Sequence, residues 1–214
     1  MKKHNKRRFH LALSFLAAFI LWTAAIRLID VQAIGPREST VGFAALNRFV
    51  HDLTGVHLSL YVVTDYLGLV PLSFVLGFAF LGLTQWIKRK HLRQVDHSVL
   101  VLGAFYLVVA AVYALFERVV INYRPVLIGG VLEPSYPSST TMLVMCVMPT
   151  AIMQLNARIK NPALRRGIRF AIILFITFMV VGRLVSGVHW FTDIVGGTLL
   201  SAGLVTLYAY LEVK

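Results

Sequence analysis

Hydrophobic positions in this chain gather into six long blocks separated by short polar segments. The blocks run about Phe9–Ile29, Leu58–Ile87, Val99–Phe116, Thr141–Leu155, Ile168–Val185 and Ile194–Leu211. An apolar run of about 20 residues spans the hydrocarbon core of a bilayer as one helix. The pattern therefore predicts an all-α, polytopic membrane protein with six transmembrane helices. The second block is long enough to tilt or to extend beyond the bilayer. The fourth is short and is expected to begin inside the preceding loop. Residues 36–57, "PRESTVGFAALNRFVHDLTGVH", do not read as a span. Val41, Ala44, Ala45, Phe49 and Leu53 recur there at helical spacing with Arg48 and Asp52 between them, which predicts a short amphipathic helix lying on the outer membrane surface. Repeats, low-complexity tracts and flexible linkers are absent, so residues 1–214 read as a single domain.

Composition agrees with this reading. Apolar residues make up 58% and charged residues 14% of the chain, against roughly 45–50% and about 25% in soluble domains. A net charge of +12 raises the question of nucleic acid. The positive charges form short clusters between apolar blocks and no basic face interleaved with aromatics, which argues against nucleic-acid binding. Lys2, Lys3, Lys6, Arg7 and Arg8 precede the first block. Lys88, Arg89, Lys90 and Arg93 follow the second, and Arg158, Lys160, Arg165, Arg166 and Arg169 follow the fourth. With Lys214 they are 15 of the 21 basic residues, and all fall on one side of a six-span layout. The positive-inside rule makes that side cytoplasmic, with both termini on it and the other three loops outside. The basic start, apolar stretch and small residues at Thr23–Ala25 also suit a signal peptide. The stretch is long for one, however, and its removal would leave five spans. Cys146 is the single cysteine, so an intrachain disulfide and a cysteine metal cluster are both excluded.

Two outward loops hold the reactive residues. The first is "GRLVSGVHWFTDIVGG", residues 182–197. His189 and Asp193 are four apart and share a face if the turn there is helical. A carboxylate beside an imidazole fixes its tautomer and raises the basicity of the far nitrogen, which suits a nucleophile or general base. Arg183 lies where it could hold an anion beside them. The plain alternative is that all three are interfacial residues, with Trp190 part of an aromatic belt. The second loop is "FERVVINYRPVLIGGVLEPSYPSSTT", residues 116–141, with Arg118, Arg124, Ser135, Ser138, Ser139, Thr140 and Thr141. Hydroxyls and free N–H groups at a helix start bind anions, although a serine there is also an ordinary N-cap. Arginines in both loops favour one shared phosphate site, because the guanidinium fork matches phosphate oxygens.

"RP" at 124–125, "YPSS" at 136–139 and R-x5-H-x3-D at 183–193 resemble the three signatures of the type 2 phosphatidic acid phosphatase family. Its superfamily includes polyprenyl diphosphate phosphatases, phosphatidylglycerophosphate phosphatases and vanadium haloperoxidases. The six-span layout is that of the membrane members. The resemblance implies a lipid phosphatase that works without metal or other cofactor. It makes His189 the nucleophile that forms a phosphohistidine and Asp193 its orienting carboxylate. Arg124, Arg183 and Ser138 become phosphate ligands, with Ser139 and Thr140 in the same stretch. The implied partners are a lipid phosphate and the surrounding membrane lipids. The implied location is the plasma membrane, with the site on the outer face.

Three positions depart from the family pattern. The Lys that opens the first signature is Glu117 here. Arg118 stands next to it, but one residue turns a helix by about 100°. Gly182 replaces a Ser before Arg183. The second signature usually ends Pro-Ser-Gly-His, and that His protonates the leaving group in the family; here Pro137, Ser138, Ser139 and Thr140 stand in its place. A general acid contributes about 10²–10⁴-fold, and matters most for an alkoxide leaving group. A phosphate leaving from a diphosphate needs the proton less, so the sequence favours a polyprenyl diphosphate such as undecaprenyl diphosphate over phosphatidic acid or phosphatidylglycerophosphate. Asp65, inside the second block, is an alternative acid or an arginine partner, or simply an interfacial residue. Glu117 and Glu133 are further candidate acids, and His51 and His57 lie on outward segments. The alternative function is a non-catalytic relative that binds a lipid phosphate. A transporter would be expected to show paired broken spans in matching halves, and the sequence has none.

Overall fold

The computed structural model describes residues 2–212, with side chains from residue 5 onward. Lys214 and the side chains of Lys2 and Lys3, counted above with the basic side, lie outside the described residues. The helices are α1 (Lys2–Leu28), α2 (Ala44–Thr54), α3 (Leu58–Leu67), α4 (Leu69–Arg89), α5 (His97–Arg118), α6 (Ser139–Arg158), α7 (Pro162–Val185) and α8 (Phe191–Leu211). Only isolated β-bridges, and no strands, occur among the described residues. Six helical stretches are long and apolar enough to cross a membrane: α1, α3 with α4, α5, α6, α7 and α8. The protein is thus a multi-pass helical membrane protein.

The second stretch breaks at Gly68. Pro71 has no N–H to give to the carbonyl of Leu67, and its ring crowds that carbonyl, so the helix kinks there. The structure starts α6 at Ser139, two residues before the expected block. Asn161 caps α7 by accepting from the N–H groups of Ala163 and Leu164.

The bundle is built around α6 and α8. Their apolar windows are 56% and 44% buried, against 17–22% for the other spans. The outer helices present Leu21, Leu76, Phe80, Leu107 and Phe170 outward, as expected where lipid and not water surrounds the protein. Close approach at the centre depends on glycine. A Cβ on Gly203 would sit 2.8 Å from the Leu16 side chain of α1.

The segment read as an amphipathic surface helix does form α2, but with its faces divided differently from the expectation. Val41 and Ala44 are buried against the protein, whereas Phe49 and Leu53 point outward on the opposite side. The inward face is partly polar. Asn47 is fully buried, giving its Nδ2–H to the Gly42 carbonyl (2.8 Å) and the Thr192 hydroxyl (3.0 Å) and accepting from the Thr192 N–H (3.2 Å). Core and lipid both select apolar side chains, so one run of them served two faces.

Candidate active site

The site lies at the end of the bundle where α5 and α7 finish and α6 and α8 begin. Gly187 turns the chain between α7 and α8 with φ +68°, and a Cβ there would lie 2.0 Å from the Gly55 carbonyl oxygen. This tight turn delivers His189 to the start of α8. His189 and Asp193 are 3% and 0% exposed, so they are interior residues and not interfacial ones. Trp190, expected in an aromatic belt if the site were bland, is also buried. It gives its indole N–H to the Tyr123 carbonyl at 2.8 Å.

Asp193 is held from two sides. Its Oδ2 accepts from the Trp190 backbone N–H at 2.9 Å, and its Oδ1 accepts from Asn122 Nδ2 at 3.1 Å. Oδ2 then stands 3.7 Å from His189 Nδ1, near enough for electrostatic support but longer than a hydrogen bond. The far edge of the ring faces a cavity. Burial pulls the His189 pKa down from 6.5 to about 4; Asp193 opposes this, and the Arg124 and Arg183 cations reinforce it. The imidazole is therefore neutral near pH 7, the form in which Nε2 carries a free electron pair.

Arg183, on the last turn of α7, is 1% exposed. Its Nη1 gives to the Thr64 hydroxyl at 3.3 Å and lies 3.8 Å from Asp65 Oδ1. The guanidinium sits 4.8 Å from the Tyr61 ring centre. Gly182 makes this contact possible, because a Cβ there would stand 2.9 Å from the Thr64 methyl. The departure from the usual Ser thus has a packing cause. Arg124 also approaches Tyr61, 5.6 Å from its ring centre, and pairs with Glu133, Nε to Oε2 3.0 Å, though not along a hydrogen-bonding direction.

The segment after α5 makes a small excursion and returns. Gly129 and Gly130, both with positive φ, turn it between the bridged residues Ile128 and Val131. The Tyr136 ring then plugs into the core, its hydroxyl 2.7 Å from Thr23 Oγ1 and its ring stacked on Phe19. Gly196 receives this ring; a Cβ would lie 2.4 Å from it. Gly197 passes the Ser138 carbonyl, whose oxygen would lie 3.2 Å from an added Cβ. The Asp-Ile-Val-Gly-Gly stretch is therefore a docking surface for the 136–141 segment. The Ser138 N–H completes the join by bonding the Asp193 carbonyl at 3.1 Å.

These parts enclose a cavity of about 390 Å³ lined by Arg124, Arg183, His189, Ser135, Ser139 and Thr140, together with Tyr113, Asp65, Glu117 and Glu133. Ser138 is fully buried beside it. Arg118 is not brought in. It lies exposed at the end of α5, and Glu117 occupies the cavity wall instead. Val112, Tyr113, Phe116 and Glu117 share the face that lines the cavity, with Tyr113 and Glu117 still exposed, and the 100° step carries Arg118 off that face. His51 and His57 also stay outside the lining; they bond the carbonyls of Gly187 and Thr54. Sequence reading missed Asn122, Asn47, Tyr61 and Thr64. Each is one uncharged side chain with no periodic signal, and "INYRP" around Asn122 was the nearest available clue.

Residues 123–214 match a family model described as the PAP2 superfamily. The similarity to that family spans under half of the chain and lies over its C-terminal part. The match takes in Arg124, the 136–140 stretch and Arg183 through Asp193, and begins after Glu117 and Arg118. No match is found among curated proteins. The fold is similar to a crystal structure described as the first transmembrane PAP2 type phosphatidylglycerolphosphate phosphatase from Bacillus subtilis. The TM-score is 0.61 at 20% identity, covering 94% of each chain. At that identity the likeness speaks for a shared PAP2 fold.

Proposed function

We propose that the protein is a lipid phosphatase that passes a phosphoryl group through His189. One observation carries this reading. The buried polar atoms without a protein hydrogen-bond partner, among the described residues, concentrate at one place. They include Arg124 Nε and Nη1, Arg183 Nε, the Ser135 and Ser138 hydroxyls, and both ring nitrogens of His189. Buried polar atoms are nearly always paired in proteins. A cluster of donors left open around a neutral imidazole fits a tetrahedral anion, and phosphate has the oxygens to satisfy it.

In this reading the arginines and Ser138 hold the phosphate oxygens, with Ser139 and Thr140 at the α6 start. His189 Nε2 attacks phosphorus in line with the leaving oxygen. Asp193 stabilises the positive charge that develops on the ring. Water then attacks the phosphohistidine and releases inorganic phosphate. No metal takes part. The alternation of spans sets the site at the end opposite Lys88, Arg89 and Arg158, which by the positive-inside rule supports an extracytoplasmic site; the plasma membrane is the location we propose from the family resemblance. A polyprenyl diphosphate is the favoured substrate, since Thr140 cannot serve as the acid at its own position and a phosphate leaving group needs a proton least. That same Thr140 supports the second reading, a phosphate-binding relative without catalysis.

Phosphate release by purified protein in detergent, with chelator present, tests the proposal. Polyprenyl diphosphate is run beside phosphatidic acid, and His189→Ala beside wild type. Release that depends on His189 and favours the diphosphate is expected. Comparable turnover of the two lipids would refute the leaving-group argument. Binding without release above the His189→Ala background would establish the second reading.

A further inference from the structure

The phosphate cavity is unusual in its balance of charge. Two arginines line it, and so do three carboxylates, Asp65, Glu117 and Glu133. The sequence alone left all three open as acids. The structure separates them. Asp65 serves Arg183 at 3.8 Å and Glu133 serves Arg124 at 3.0 Å. Glu117 makes no ion pair among the described residues. Its carboxylate interacts with the Tyr113 hydroxyl, one turn back on the same face of α5. Glu117 on the last turn of α5 and Thr140 on the first turn of α6 line the same cavity. These are the two positions at which the sequence departs furthest from the pattern it resembles: one lost a cation and the other lost an acid.

We propose that Glu117 is the proton donor to the leaving group and the base for the hydrolytic water. The inference rests on the phosphatase reading given above. A phosphate dianion in this cavity meets Asp65, Glu117 and Glu133 as well as Arg124, Arg183, neutral His189 and the Tyr113 phenol. Two of the carboxylates are already bound to guanidinium groups. The like charges of Glu117 and the phosphate are relieved by one shared proton, as in other paired acids. In the first step the His189 Nε2–P bond forms and the P–O bond to the lipid breaks. The Glu117 proton goes to the departing oxygen, which leaves as an alcohol or as a phosphate. In the second step the Glu117 carboxylate takes a proton from water as that water's oxygen bonds phosphorus. The P–N electron pair returns to Nε2, and inorganic phosphate departs. Glu117 and His189 end as they began.

The test compares leaving groups. Wild type, Glu117→Gln, Glu117→Asp and His189→Ala are assayed with phosphatidic acid, whose leaving group is an alkoxide, and with an aryl phosphate, whose leaving group is weakly basic. Glu117→Gln should lower phosphatidic acid turnover by about 10²-fold or more. Its loss on the aryl phosphate should be at least tenfold smaller, and Glu117→Asp should recover part of the difference. Equal losses on both substrates would make Glu117 a structural residue and overturn the proposal. So would a Glu117→Gln enzyme as fast as wild type on phosphatidic acid, or a wild type that cleaves only the aryl substrate. The phosphatase reading fails separately, if His189→Ala remains as active as wild type on both.

Discussion

Asp193→Asn isolates the charge behind the nucleophile. Every group that Asp193 faces is a donor: the Trp190 N–H at 2.9 Å, Asn122 Nδ2 at 3.1 Å, and His189 Nδ1 at 3.7 Å. An asparagine can keep its oxygen toward Trp190 and His189 only by turning its NH2 toward Asn122. Asn122 can answer by flipping, because its own Oδ1 has no partner among the described residues. The flip gives up the 3.4 Å contact from Asn122 Nδ2 to the Thr192 hydroxyl. The net stability cost is therefore small, about 1 kcal/mol. The catalytic cost is larger. In the proposed phosphoryl transfer the His189 ring becomes cationic, and a carboxylate 3.7 Å away contributes about 4.5 kcal/mol at an effective dielectric constant of about 20. That corresponds to roughly 10³-fold in rate. The measurement is rapid-quench detection of the phosphohistidine in a single turnover, with thermal unfolding in detergent as the control. Asp193→Asn should slow phosphohistidine formation by about 10³-fold with near-native stability. Asp193→Ala should also lose stability, about 1–3 kcal/mol, because the Trp190 N–H is left unbonded. An Asp193→Asn enzyme within tenfold of wild type in that step would refute the electrostatic role.

Three further outcomes follow from the same geometry. The His189 pKa is lowered from 6.5 to about 4, so kcat/KM should stay level with respect to this group from pH 8 to about 5 and fall as pH drops through about 4. The matching contribution to stability is present above pH 6.5 and lost as pH falls toward 4, because the unfolded chain binds the proton first; a titrated unfolding series checks it. Gly196→Ala should lower stability by about 1–3 kcal/mol and displace Ser138, since the Tyr136 ring 2.4 Å from the added Cβ is pinned by Thr23 and Phe19; thermal unfolding and phosphate-release assays read both effects. Arg183→Lys should weaken inhibition by inorganic phosphate by tenfold or more, because an ammonium replaces neither the fork nor the stacking on Tyr61.

The spans were readable because length and apolarity alone decide whether a helix crosses a bilayer, and the six blocks met that condition without help from context. What escaped reading depended on which side of a helix meets what. Around α2, Val41 just before the helix and Ala44 at its start face protein while Phe49 and Leu53 face outward, and periodicity cannot tell one apolar environment from another. At the end of α5 the difference between Glu117 and Arg118 is a single helical step, which a spacing rule taken from a motif does not resolve. His189, Asp193, Arg183 and Arg124 were legible because charged side chains are costly beside apolar blocks and so stand out. Asn47, Asn122 and Thr192 do comparable positioning work with neutral groups, which leave no such trace.

The distribution of satisfied and unsatisfied groups gives the strongest structural argument for a ligand. Behind His189 the polar groups are bonded to one another: Asp193 to Trp190 and Asn122, Thr192 to Asn47, Ser138 N–H to the Asp193 carbonyl. In front of it, Arg124, Arg183, Ser135 and His189 itself keep buried atoms with no protein hydrogen-bond partner. A buried polar core kept only for stability would be expected to pair its members throughout, because each unpaired group costs about 1–3 kcal/mol. Most of the unpaired atoms among the described residues belong to these groups and to Ser138, although Asn122 Oδ1 behind the ring is open as well. Glycines at 182, 187, 196 and 197 bring the helices close enough to hold this arrangement. The packing thus holds a set of unpaired polar atoms beside the cavity, and under the proposed function a tetrahedral oxyanion completes them.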